Sequence, residues 1–97
     1  MAVIEVLTFR LLPDIGEDGF LDADRHLQTE FAYHQPGLLR RTTARGGPGE
    51  WLVVTLWVSP ADADAGEAAA RDESVVERFR ALLDPSSVVT TRYDTLD

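Results

Sequence analysis

Residues 50–65 read EWLVVTLWVSPADADA, Glu50 to Ala65. Up to Ser59 the run is β-branched, aliphatic and aromatic, with Leu52, Val54, Leu56 and Val58 on one alternating face and Trp51, Val53 and Trp57 on the other. A strand apolar on both faces is buried on both, which places it inside a sheet. The run then passes straight into a helix start, with Ser59 as N-cap, Pro60 at the first helical position and the acid Asp62 at the third. The stretch predicts a central strand, Trp51 to Ser59, feeding a helix without a loop.

Upstream, Gly46-Gly47-Pro48-Gly49 forms a turn, and Leu38 to Arg45 forms a second strand of high β propensity, so the two strands make an antiparallel hairpin. Before them, Asp14 and Glu17 resemble a capping signal, and Pro36-Gly37 is a stop, predicting a helix from about Glu17 to His34. On a helical wheel Phe20, Ala23, Leu27, Phe31 and His34 share the apolar face, with Asp24 at its edge. Residues 2–12, AVIEVLTFRLL, form a buried first strand interrupted only by Glu5, Thr8 and Arg10. Downstream of Ser59 the helical region is broken. Gly66 weakens it, and Ser74-Val75-Val76-Glu77 reads as a fresh capping box for a helix packing through Val75, Phe79 and Leu82. Pro85 ends that helix, and residues 87–96 form a last strand.

Strand, helix, strand, strand, helix, strand is the split βαβ order of an α+β, ferredoxin-like fold with a four-stranded antiparallel sheet. Residues 1–97 are expected to form one such domain. Both helical regions lie on one sheet face, so the apolar second face of the Trp51–Ser59 strand predicts burial against another copy of the chain, a homodimer.

Composition excludes several functions. The chain carries 17 acidic and 9 basic side chains for a net charge of −8, and every basic residue is arginine. That balance opposes nucleic acid and anionic membrane as partners, because both attract through clustered cations. There are no cysteines, so disulfides and thiolate metal sites are excluded. No apolar run approaches the roughly 20 residues of a membrane span. The expected location is the cytoplasm.

Two motifs beyond the opening one, QPGLLRRTTARG at residues 35–46 and RYDTLD at residues 92–97, complete a pattern that resembles the antibiotic-biosynthesis-monooxygenase type of protein. The resemblance spans nearly the whole chain. It implies a dimeric α/β barrel with a cavity between the sheet and the helices of each subunit, partly lined by the first helix, and a small-molecule ligand. Proteins of this type include cofactor-free oxygenases, haem-degrading enzymes and small isomerases. Haem degraders are described by an Asn, Trp and His set, whereas this chain has no Asn and neither His nor Trp in its second helical region. Haem degradation is therefore not expected, and the expectation is of no cofactor. Quinone-forming oxygenases of the type surround a phenol with Asn, Trp, Tyr and basic groups, of which Trp, Tyr and Arg are available here. Trp57 looks like the tryptophan found at a strand end in these proteins.

The candidate catalytic group is His34, whose imidazole could accept a proton from an acidic C–H or phenol. Its alternative role is a helix-end histidine bonding a terminal carbonyl. For substrate binding the candidates are Phe31 and Trp57 as walls, Arg40 or Arg92 as cations for a developing oxyanion, and Asp24. A buried Asp24 would need a partner: it could orient His34 through ligand or water, or form a salt bridge with Arg40 or Arg92. Trp51 is the candidate interface aromatic, although it shares a face with Trp57. His26 with Asp22 and Glu30 reads as a surface ion-pair ladder rather than a metal site. Two functions follow from these residues. One is a cofactor-independent monooxygenase acting on an aromatic or polyketide-like compound; the other is a non-catalytic dimer that binds a small ligand.

Overall fold

The computed structural model describes residues 1–96. Strand β1 (Val3–Arg10) is followed by helix α1 (Glu17–Glu30), strands β2 (Leu38–Arg45) and β3 (Glu50–Trp57), helices α2 (Pro60–Ala70) and α3 (Ser74–Arg80), and strand β4 (Val89–Asp94). Short 3-10 turns occupy Ala32–His34 and Pro85–Ser87. The sheet is antiparallel in the order β2-β3-β1-β4, so the two most apolar strands are central, as their sequences require. This is the expected ferredoxin-like arrangement, with the second helical region in two pieces.

Local signals succeed where a cap or a turn is strong. Ser59 caps α2 through its hydroxyl, which accepts from the Asp62 amide at 3.2 Å. The hairpin between β2 and β3 closes with the Gly46 N–H donating to the Glu50 carbonyl, the Glu50 N–H donating to the Gly47 carbonyl, and Gly49 at φ 73°. Two capping expectations fail. Helix α1 is capped by Gly16 and not by Asp14, and α3 begins after Glu73, with no side-chain cap at either. Helix α2 runs through Gly66 and breaks only at Arg71. Helix α3 buries Val76 and Phe79, with Leu83 just beyond it; Val75 and Leu82 are half-buried.

The layer between sheet and helices holds the main core. Phe20 is fully buried and stacks on Trp51 at 4.7 Å between ring centroids, with Phe9 and Phe79 at 5.6 Å and 5.5 Å from it. Such side chains each contribute about 1.5–3 kcal/mol through burial, plus the tilted ring contacts. Trp51 is thus a core residue on the helix side, not the interface aromatic expected from sequence. The opposite sheet face carries Ile4, Val6, Leu52, Val54 and Leu56, half-buried, flanked by exposed Val58, Val89 and Tyr93.

Two local irregularities reset which side chains face the helices. Helix α1 stops at Glu30, four residues short of the expected end. Phe31 leaves helical geometry at φ −126°, ψ −62°, and Gln35, preceding Pro36, is extended. The wheel therefore stops applying before His34, which is exposed. In β2 a bulge falls between Leu38 and Arg40: Leu38 pairs with Trp57 and Arg40 with Leu56, leaving Leu39 as the extra residue. An inserted residue inverts the alternation beyond it, so Arg41 faces the helices and Arg40 the open face.

Candidate functional site

At the end of the helix–sheet layer away from Phe20, the two layers part and enclose a cleft of about 590 Å³. That volume lies within the range of small-molecule sites. Its walls are apolar: Leu27 from α1 and Phe31 just beyond its end, Val76 and Phe79 from α3, Leu7 and Trp57 from the sheet. The gap exists because α2 faces the sheet with Ala63, Gly66 and Ala70, which are buried but too small to fill it. Gly66 lies against the Trp57 ring so closely that a Cβ there would collide with the indole.

Two polar groupings sit in this apolar surround. On the α1 side, Arg41 is 7% exposed and donates from Nη2 to Asp24 at 2.7 Å and from Nη1 to Gln28 at 3.2 Å, with Thr43 at 3.4 Å. Its guanidinium lies 5.7 Å from the centre of the Phe79 ring, a cation–π distance. A buried ion pair of this kind has its charges satisfied by geometry, and removing one partner strands the other. On the opposite side, the Trp57 indole Nε1–H donates to Glu5 at 2.8 Å, and Arg92 donates to the other Glu5 oxygen at 3.1 Å. Arg92 also reaches Asp64 of α2 at 2.8 Å. Hydrogen bonds to Asp64 and Glu5 push the Arg92 pKa above its ordinary value. It is a cation at every physiological pH and ties β4, β1 and α2 together.

The sequence-predicted residues divide. Phe31 and Trp57 line the cleft. Asp24 is buried behind it, and its partner is Arg41 rather than Arg40 or Arg92. Arg92 does not line the cleft; its guanidinium is bound to the carboxylates of Glu5 and Asp64. Arg40 and His34 are exposed and do not line it, for the two reasons of backbone geometry given above. Glu5, Arg41 and Thr55 line the cleft without having been singled out. Glu5 had a signal, as the one charge within the apolar run AVIEVL; Arg41 had none that separated it from Arg40.

Outside the cleft, His26 belongs to a surface cluster that joins α1 to α3. Its Nδ1 lies 2.8 Å from the Asp22 carbonyl oxygen, and Arg78 donates to the Asp22 carboxylate at 2.7 Å. That Arg78 hydrogen bond holds the Asp22 carboxyl below its ordinary value. No grouping of three or more metal-ligating side chains occurs among the described residues, and no helix among them is long and apolar enough to cross a membrane.

No family model matches the sequence, and no curated protein matches it. Solved structures do resemble the fold. SnoaB, a cofactor-independent oxygenase from Streptomyces nogalater, superposes with a TM-score of 0.82 at 16% identity, covering 99% of this chain and 94% of its own. An antibiotic biosynthesis monooxygenase superposes with a TM-score of 0.76 at 18% identity, covering 98% and 99%. Rv0793 from Mycobacterium tuberculosis gives 0.67 at 19% identity, covering 100% and 97%. The fold is that of the antibiotic-biosynthesis-monooxygenase type, as the motifs implied; at these identities the likeness extends to fold alone.

Proposed function

We propose that this chain is a single-domain, homodimeric protein that holds an aromatic or polyketide-like molecule in the cleft beneath α1 and α3 and oxidises it with dioxygen, without a cofactor. The observation that carries this reading is the cleft itself, an apolar slot whose floor bears a buried arginine and a carboxylate fixed by a tryptophan N–H. The fold shared with a cofactor-independent oxygenase supports it. In the reaction, a substrate methylene made acidic by a carbonyl conjugated with it through an aromatic ring loses a proton to a carboxylate such as Glu5, and Arg41 stabilises the resulting enolate oxygen. The carbanion passes electrons to dioxygen, a C–O bond forms, and the O–O bond breaks with loss of water. One methylene and one O₂ thus give one carbonyl and one water.

Anthrone, with one such methylene, is a suitable probe in an oxygen electrode. The expected result is protein-dependent consumption of one O₂ per anthraquinone formed, above the spontaneous rate. A rate equal to the spontaneous one, with anthrone still bound, favours the second reading of a non-catalytic ligand carrier. That reading has its own support: neither His26 nor His34 lines the cleft, so it lacks the side chain that titrates nearest to neutral pH. The homodimer rests on the open apolar face around Val54 and Leu56. Sedimentation equilibrium of wild type should give twice the chain mass, and Val54→Asp the chain mass itself.

A further inference from the structure

The strand registers place the cleft's polar groups in a single row. Arg41 of β2 pairs with Thr55 of β3, Thr55 with Glu5 of β1, and Glu5 with Arg92 of β4. Directly paired residues present their side chains on the same face, about 4.5–5.5 Å apart at Cβ. The helix-facing floor therefore carries a line of cation, hydroxyl, anion and cation across all four strands. The rows on either side are largely apolar at the centre, with Val3 beside Trp57 and Leu7 beside Val53.

Thr55 is the lowest point of this line. It is the shortest of the four side chains and stands between Arg41 and Glu5, which are two strands and ~10 Å apart. Its hydroxyl has no hydrogen-bond partner among the described residues, yet no buried polar side-chain atom among them lacks one, so the hydroxyl is open to the cleft. Arg41 spends at most three of its five N–H donors on Asp24, Gln28 and Thr43. Each Glu5 oxygen accepts one hydrogen bond and can accept another. The notch above Thr55 thus offers donors from one side, an acceptor from the other and a hydroxyl beneath that can serve as either.

We infer that this row is the specificity element of the cleft, and that Thr55 reads a hydroxyl set beside a carbonyl on the edge of a flat aromatic ligand. The carbonyl oxygen accepts from Arg41, the hydroxyl donates towards Glu5, and the Thr55 O–H bridges the two, while the ring system lies between Phe31, Phe79 and Trp57. A site with polar groups placed this way rejects an analogue lacking the matching group, because its own donors and acceptors are then desolvated without partners. The inference rests on the small-molecule reading of the cleft and deepens it by naming the ligand edge.

The matched probes are 3-hydroxyflavone, with a hydroxyl beside its carbonyl, and flavone, which lacks only that hydroxyl. Binding is read by quenching of tryptophan fluorescence, since Trp57 lines the cleft. Wild type should bind 3-hydroxyflavone at least tenfold more tightly than flavone. Thr55→Val, which keeps the shape and β propensity, should reduce that preference to less than twofold, and Thr55→Ser should retain it. Equal affinity for the two probes in wild type, or a preference that survives Thr55→Val, overturns the row as the specificity element and leaves the cleft as a ligand site. Failure of both probes to bind overturns the inference and the small-molecule reading together.

Discussion

Trp51 and Trp57 lie on the same face of the same strand, six residues apart, and meet different fates. Trp51 is closed over by Phe20, with Phe9 and Phe79 beside it, and this end of the helix–sheet layer is solid. Trp57 meets Gly66, its N–H is held by Glu5, and this end is open. Both rings are equally withdrawn from solvent, 7% and 5% exposed, so burial does not distinguish them. What distinguishes them is the opposing helix. Helix α1 brings a phenylalanine to Trp51, whereas α2 brings only alanine and glycine to Trp57. A cavity here is the consequence of small residues on one helix facing large ones on a sheet, and it persists because the charges on its floor are paired rather than collapsed upon.

The contrast can be broken first at the closed end. Phe20→Ala should cost about 3–5 kcal/mol in urea unfolding, as for other buried large-to-small changes, since nothing around Phe20 can relax into the space. At the boundary between the two ends, Asp24→Ala leaves the Arg41 charge buried without its partner and should cost about 3 kcal/mol; Asp24→Leu combined with Arg41→Met should recover most of it. At the open end the effects move from stability to binding. Gly66→Ala pushes the indole into the cleft and should weaken 3-hydroxyflavone binding by roughly tenfold, about 1.4 kcal/mol, measured by fluorescence titration. Glu5→Gln preserves an acceptor for Trp57 but removes the charge facing Arg92, a partly exposed pair, and should change unfolding free energy by less than about 1 kcal/mol. His34→Ala should change stability and probe affinity least, within about 0.5 kcal/mol for unfolding, because the ring is exposed and off the cleft. A large loss of binding in that variant would reverse the assignment of the site to the Arg41–Thr55–Glu5 row.

The candidate site was only partly legible in the sequence. Trp57 and Phe31 were, because Trp57 lies on a regular strand whose faces alternate, and Phe31 is the first residue past α1, so the helical wheel still sets its direction. Asp24 was recognised as a buried acid in need of a partner, but the partner was misassigned. His34 was misplaced because periodicity carries an orientation forward only while the backbone stays regular; Arg40 was named as a cation without a face, and the bulge before it turns Arg41 to the helices instead. The change to a 3-10 turn after Phe31 and the extra residue at Leu39 each reset the count, and neither leaves a mark in composition that separates it from its neighbours.

The sequence by itself determined the order of elements, the central place of β1 and β3, the Ser59 start of α2 and the two-sided apolar character of β3. These depend on contacts between residues a few positions apart, or on alternation within one strand, which are written locally. Only the tertiary structure decided that Arg41 and not Arg40 faces the helices, that Trp51 is core while Trp57 borders a cleft, and that Glu5 meets a tryptophan 52 positions away. Those outcomes depend on strand register and on which helix lies opposite. One residue more or less in a strand inverts every face beyond it, and no local pattern records the size of the side chains that another element will bring.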